Sequence, residues 1–394
     1  MTDNAPELFT HALSRVLDRV EDTRTRVGYA FPHWADTTTG EWTVTADGDW
    51  TGGSWPGQMW LAALVTGNSG WADLARQAER RMAPRLTMRT AFKGFGFFHA
   101  AVMGWTLFGD EQCRQDALTC ARSLYEMYDD RLGLIPLGSD AEESATVGTA
   151  ESSVDSLQAS PLLLWAAGES ADADLERVAV QHTTRVLDLH VRPDGSVIQS
   201  STLNPADGTL IRQHTHKGYD DTSTWARAQA WAVLYASQCY AMRPTHTDWL
   251  RHAKAVSDWW IRHVPPDGVA YWDFEDPAIP DTERDTAATA ITCSGLLKLS
   301  EALTDSDLEA AQRYLQAATV TVAALAEDYL TPAGILTQGC FTKRAGARSH
   351  DAATNVELIF GSYFLTECLS VMCGYVQPSG LQQRQTVGGV ADAR

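Results

Sequence analysis

The sequence predicts an all-α fold, a closed ring of six helical hairpins with inner and outer helix layers. Three observations carry this. Helical periodicity recurs in twelve stretches. The connections between those stretches alternate between short and long. Two kinds of helix also alternate, one apolar on nearly every face and one amphipathic. Short turns make antiparallel neighbours, and long segments return the chain to begin the next pair. Matching the first helix to the last closes the ring and gathers the long loops at one rim. Function is expected there, because loops on a rigid scaffold carry chemistry. The hairpins share length and rhythm but no repeated motif, so an open helical solenoid is the structural alternative.

In chain order, a helix at about 6–27 leads through the long segment 28–55 to a second at 56–67. Its run WPGQMWLAALVTG (55–67) is apolar all round and belongs inside. The turn Thr66–Gly70 starts helix 70–84, where ADLARQAERRM (72–82) is amphipathic and outer. Segment 85–93 precedes helix 94–107 with FGFFHAAVMGW (95–105), and the turn Phe108–Asp110 starts helix 110–127. Segment 128–153 precedes helix 154–168 with DSLQASPLLLWAAG (155–168). Beyond Gly168–Ala171 lies the outer helix 171–189, carrying DADLERVAVQHTTRVLDL (172–189). Segment 190–222 leads to 223–242 with TWARAQAWAVLYA (224–236), and Arg243–Thr247 turns into 246–262. Segment 263–284 leads to 285–302 with DTAATAITCSGLLKL (285–299), and Leu303–Asp305 turns into 305–328. Segment 329–352 precedes the last helix, 353–374.

With 394 residues, 44% of them hydrophobic, a large core is available. No Pro/Gly/Ser-rich linker divides the chain, so residues 1–376 are expected to form one domain. Residues 1–5 and 377–394 are polar, small or Gly-rich and are expected to be disordered ends. The start has no basic stretch followed by an apolar one, and no apolar run is long enough to span a bilayer. Seven scattered cysteines with no CxxC spacing point to free thiols in a reducing cytoplasm. The net charge of −19 argues against nucleic acid and against anionic membranes as partners. An anionic ligand then needs specific Arg or Lys residues in its pocket. No phosphate loop and no GxSxG elbow is present, and His214 and His216 lack a third metal ligand at convincing spacing. Neither metal nor cofactor is expected.

The residues opening the inner helices converge at the rim: Trp55, Lys93, Asp155, Trp225, Arg227 and Asp285. Among fourteen tryptophans most fill the core, but Trp55, Trp225 and Trp231 are placed to stack on a sugar. Asp155 opens an otherwise apolar helix. It is either a helix cap or a buried carboxyl pushed toward its protonated form, which suits a general acid. Asp285 invites the same comparison, with capping the stronger reading. Arg227 suits a bidentate grip on a carboxylate, or pairs with Asp220 or Asp221. Lys93 and Lys217 are further cations that could equally be solvated. Gln199 and His216 complete the candidate binding set.

These stretches together resemble the unsaturated glucuronyl hydrolases and the related unsaturated rhamnogalacturonyl hydrolases. The resemblance runs from about 28 to 374 and is carried by DWTGGSWPGQMWLAALVTG, GFGFF, VDSLQASPLLLWAA, VRPDGSVIQ, THKGYDDTSTWARAQAW, YWDFEDP with RDTAATAITCSGLLKL, and GILTQGC with IFGSYFLTE. It implies an (α/α)6 barrel, no metal, and release of a 4,5-unsaturated uronic acid from the non-reducing end of an oligosaccharide. The implied chemistry is hydration of the C4=C5 enol ether, not displacement by paired carboxylates. Asp155 matches the family's acid/base, and Trp55, Trp225, Arg227 and Trp231 match positions that line its sugar site.

Four positions depart from the family pattern. Lys93-Gly94 stands for His-Asp, Gln199 for His, Lys217 for Gln, and Ser362 for Asp. They are expected to surround one pocket and to fit it to a more anionic or differently shaped ligand. Asp220, Asp221, Asp285 and Glu151 are the candidates to replace the lost carboxylate. The leading expectation is a hydrolase acting on an unsaturated uronide. An enzyme of altered chemistry on a modified sugar and a non-catalytic sugar-binding protein are the rivals.

Overall fold

The computed structural model describes residues 5–344, 346 and 352–383. Among these, twelve helical rods build the ring. The outer layer is α1 (Ala5–Val27), α3 (Ser69–Arg81), α5 (Glu111–Tyr125), α7 (Ala173–His190), α9 (Thr247–His263) and α11 (Leu308–Ala324). The inner layer is α2 (Ser54–Thr66), α4, α6, α8 (Ala226–Met242), α10 (Thr286–Leu303) and α12 (Ile359–Met372). The rod α4 is composite, running Lys93–Phe97, then a π turn Phe98–Val102, then Met103–Phe108. The rod α6 opens as a 3-10 turn, Val154–Gln158, and continues as Ala159–Ser170.

The short turns are explained by stop and start signals in adjacent residues. Gly67 and Gly109 end α2 and α4 with left-handed φ of 67° and 68°. Asn68, Asp110, Asp172 and Asp307 then cap α3, α5, α7 and α11 by accepting backbone N–H groups. Each of these four outer helices is thereby started within a few residues of the inner one.

The ring closes. Successive inner helices pack together from α2 through α12, α12 packs on α2, and α1 lies against α12. Small residues allow the close crossings. A Cβ on Gly295 of α10 would stand 2.8 Å from Leu234 Cα of α8, and one on Gly361 of α12 would stand 2.7 Å from Ala287 Cβ. The inner helices are buried all round, as their sequences require, and one continuous apolar core runs from Phe9 to Leu381. Among the described residues no helix is long and apolar enough to cross a membrane.

The long segments carry short strands that the helical reading missed. The strands β1 (Phe31–Asp36), β2 (Trp42–Thr45), β6 (Gly339–Cys340) and β7 (Thr354–Leu358) form a sheet ordered β2-β1-β7-β6. The strands β3 (Ser152–Ser153), β4 (Ser200–Leu203) and β5 (Leu210–His214) form a second. The helix expected at 353–374 therefore starts only at Ile359, because Thr354–Leu358 pairs with β1 and β6. Likewise α8 starts at Ala226, since Trp225 is extended and bridges to Asp273.

The expected C-terminal tail needs correction over its first residues. Pro378–Leu381 forms a 3-10 turn. Ser379 donates its N–H and hydroxyl to Glu301, and Leu381 is buried in the core. Residues 1–4 and 384–394 lie outside the described residues.

Candidate functional site

Asp155 sits in the first turn of α6, immediately after β3. Ser153, not Asp155, caps this turn, by accepting the Asp155 N–H at 3.2 Å. The same hydroxyl donates to Asp155 Oδ2 at 2.6 Å. Burial first, and the charge of Glu143 second, push the Asp155 carboxyl above the ordinary aspartate range. Gln199 is held in one orientation. Its Oε1 accepts from Thr215 Oγ1 at 2.8 Å, from Lys217 N at 3.2 Å and from His216 N at 3.3 Å. Its amide nitrogen must then face Asp155 Oδ2, 3.4 Å away.

A second carboxylate shares the pocket. Glu143 belongs to the segment between α5 and α6. Its Oε1 lies 2.6 Å from Lys217 Nζ and its Oε2 lies 3.0 Å from His216 Nε2. Burial opposes its charge, but Lys217 and His216 outweigh burial and hold it well below the usual carboxylate range. The other nitrogen of His216 meets Ser200 Oγ at 3.1 Å.

Aromatic rings and one guanidinium form the remaining wall. Trp50, Phe92, Gln158, Trp225, Arg227, Trp231 and Phe341 line a narrow pocket with Asp155, Glu143 and Lys217. The side chains nearly fill it, leaving a cavity of about 10 Å3 between them. Arg227 stacks on Trp225 with Cζ 4.8 Å from the ring centre, and its Nη2 donates to the carbonyls of Cys340 and Phe341. The same Nη2 lies 3.4 Å from Asp285. Trp231 stacks on Tyr235 and meets Trp50 edge-on. Four buried polar atoms on pocket residues have no hydrogen-bond partner among the described residues: Gln158 Oε1, Trp225 Nε1, Trp231 Nε1 and Arg227 Nη1. Wider grooves lie on the outer wall, one of about 480 Å3 beside α5 and one of about 680 Å3 along α1 and α11. From the inner ring the first takes only Ser170, the last residue of α6, and the second takes none.

The structure thus brings Asp155, Lys217, Trp225, Arg227 and Trp231 to one hollow, with Gln199 and His216 hydrogen-bonded to its lining. Two expected binders fall elsewhere. Lys93 is turned outward, donating to Met88 O at 2.7 Å and to Ser123 Oγ of α5 at 2.6 Å. Trp55 is buried in the core and does not line the pocket, whereas Trp50 does. The expectation that all four departures surround the pocket is also corrected, since Ser362 bonds to Glu357 at 2.9 Å beside Arg19. Asp285 is a cap, accepting from Ala288 N, and it pairs with Arg227 in place of Asp220 or Asp221. Asp221 pairs with Arg344, and Glu151 with Thr202 and His214. Glu143 was missed because its loop has neither periodicity nor motif. Trp50 was within reach of sequence reasoning, since it lies in the quoted stretch DWTGGSWPGQMW.

No family model matches the chain. It is 32% identical over 357 residues to an unsaturated glucuronyl hydrolase of Bacillus sp. (strain GL1), covering 87% of this chain and 91% of that protein. It is 26% identical over 372 residues to an unsaturated chondroitin disaccharide hydrolase of Streptococcus pyogenes serotype M1, covering 92% and 90%. The crystal structure of an unsaturated glucuronyl hydrolase from Bacillus sp. GL1, described as responsible for the degradation of glycosaminoglycan, superimposes with a TM-score of 0.86. That match has 29% identity and covers 96% of this chain and all of the other. One from Streptococcus agalactiae, at 21% identity and TM-score 0.85, matches in fold. The closed ring of hairpins is the (α/α)6 barrel of these structures, and by its likeness along nearly its whole length this chain belongs to the unsaturated glucuronyl hydrolase family.

Proposed function

We propose that the protein hydrates the C4=C5 enol ether of an unsaturated uronic acid at a non-reducing end and so releases the aglycone. One observation supports this most. A buried carboxyl biased toward its protonated form, Asp155, faces a pocket whose unpaired N–H groups and aromatic rings suit a carboxylated sugar. Asp155 gives its proton to C4, and the charge left at C5 is shared with the ring oxygen. Water adds at C5 and returns a proton to Asp155. The hemiketal opens by breaking the C5–O5 bond, and the hemiacetal at C1 expels the aglycone as an alcohol.

Arg227 Nη1 and Lys217 are the groups proposed to face the uronate, the first in the planar geometry that carboxylates favour. The indoles of Trp225 and Trp231 offer ring faces and N–H donors to hydroxyls. Gln199 and His216 support Asp155 and Glu143 from behind. The curated relatives named for glucuronyl and chondroitin disaccharide hydrolysis support an anionic oligosaccharide as substrate. With seven cysteines and a net charge of −19, the reading places the protein in the cytoplasm and away from nucleic acid.

The test is to mix the protein with unsaturated disaccharides and follow loss of the enol-ether ultraviolet absorbance. Turnover is expected, with kcat reduced about 10²- to 10⁴-fold in Asp155→Asn. No turnover of any unsaturated uronide, or an Asp155→Asn variant as active as the wild type, ends the proposal.

A further inference from the structure

Gly94 occupies the position where the family pattern has a carboxylate, and its surroundings prevent one from being restored in place. A Cβ there would lie 2.5 Å from Gln158 O and 2.6 Å from Ala159 Cα. Both atoms belong to the turn that follows Asp155, so α4 and α6 cross where a side chain would stand. The pocket nevertheless holds two carboxylates, because Glu143 enters it from a different segment.

We propose that Glu143 supplies the second carboxylate of this site, fixed by His216 and Lys217, and acts on Asp155 as a positioning residue. The inference rests on the reading of Asp155 as the acid. Several departures from the family then form one arrangement. Gly94 removes an anion, Lys217 adds the cation that anchors a replacement, and Gln199 holds the backbone N–H groups of His216 and Lys217 on its Oε1. The loop is fastened on its other side by Glu142, which bonds to Arg85, itself 3.0 Å from Asp47. Adjacent glutamates thus clamp the segment across the rim.

The charged and titratable groups around Asp155 are Glu143, His216 and Lys217 on the loops, and Arg227 and Tyr235 on α8. Among the influences acting on Asp155, Glu143 is the anion, and it favours the protonated carboxyl. Its charge also favours the cation formed at C5 when the enol ether is protonated. Asp155 must hold its proton to act, so kcat falls as pH rises through its pKa. Removing the anion lowers that pKa and moves the alkaline limb to lower pH.

In the full chain, Glu143→Gln is expected to move the alkaline limb of kcat down by about one pH unit or more. Above both limbs this costs about tenfold in kcat per unit of displacement. Glu143→Asp, which keeps the charge, is expected to leave the limb close to its wild-type place. The carboxyl carbon of Asp155, identified in a 13C-Asp-labelled sample by its loss in Asp155→Asn, is expected to titrate with the same displacement. That measurement needs no turnover, so it separates failure of this inference from failure of the proposed activity. An unmoved limb and resonance in Glu143→Gln, or a loss confined to KM, overturns the role of Glu143. If Glu143→Gln does not fold, Glu143→Ser read against Glu143→Asp gives the same decision.

Discussion

Arg227 divides one guanidinium among several tasks, and this makes it hard to replace. One nitrogen serves the carbonyls of Cys340 and Phe341 and the carboxylate of Asp285. The plane lies against Trp225, Phe341 and Phe360, with Cζ 4.8, 5.4 and 5.2 Å from the ring centres. The other terminal nitrogen has no hydrogen-bond partner among the described residues, and the side chain lines the pocket. An ammonium group has neither the plane nor the fork. Arg227→Lys is therefore expected to lower kcat/KM on an unsaturated disaccharide by about 10- to 100-fold, chiefly through KM. Lys93→Met is expected to leave KM within about twofold of wild type, because the Lys93 ammonium is committed to Met88 and Ser123 outside the pocket. Both lysine and arginine open an inner helix in the sequence. What distinguishes them is the direction of the side chain, which depends on how each helix is rotated against its neighbours. Residue type and spacing do not contain that rotation.

At the scale of elements, the crossing of α4 and α6 is set by the absence of a side chain. Gly94→Ala would place a methyl group against backbone atoms of the turn bearing Asp155, and backbone cannot swing aside as a flexible side chain can. The variant is expected to lose about 1–3 kcal/mol of stability, read as a lower thermal midpoint, and to lose turnover as the turn shifts. Gly168, near the end of α6, has only the tip of Arg243 within ordinary contact at 3.6 Å. Gly168→Ala is expected to be neutral or to stabilise by about 0.4–1 kcal/mol. Helix order and the inner or outer placement of each rod were legible in the sequence, because burial on every face leaves an apolar signature that one amphipathic stripe does not. The short strands were not. Thr354–Leu358 is five residues long, runs directly into α12, and declares itself only by pairing with β1. A run so short has no period that separates strand from helix.

Over the whole molecule, the rhythm of short and long connections was enough to foresee a ring, and contacts remote in sequence complete it. The buried pair of Arg19 and Glu357, 2.8 Å apart, ties α1 to the strand before α12 and so helps seal the seam. The pocket was only half legible. Asp155 and Arg227 stand at starts of inner helices and were visible there, whereas Glu143 finds its partners more than seventy residues away across the rim. No local pattern encodes such a meeting.

The turn at Pro378–Leu381 has a practical consequence. It bridges the last residues of α4 and α10, so it covers the underside of the barrel, opposite the opening. Trimming the chain after Val376, where the composition changes, would strip Leu381 from its cover and leave Glu301 without Ser379. Such a shortened protein is expected to melt several degrees below the intact one, with Leu381→Ala losing part of the same margin. An equal midpoint for trimmed and intact protein would show that this floor contributes nothing.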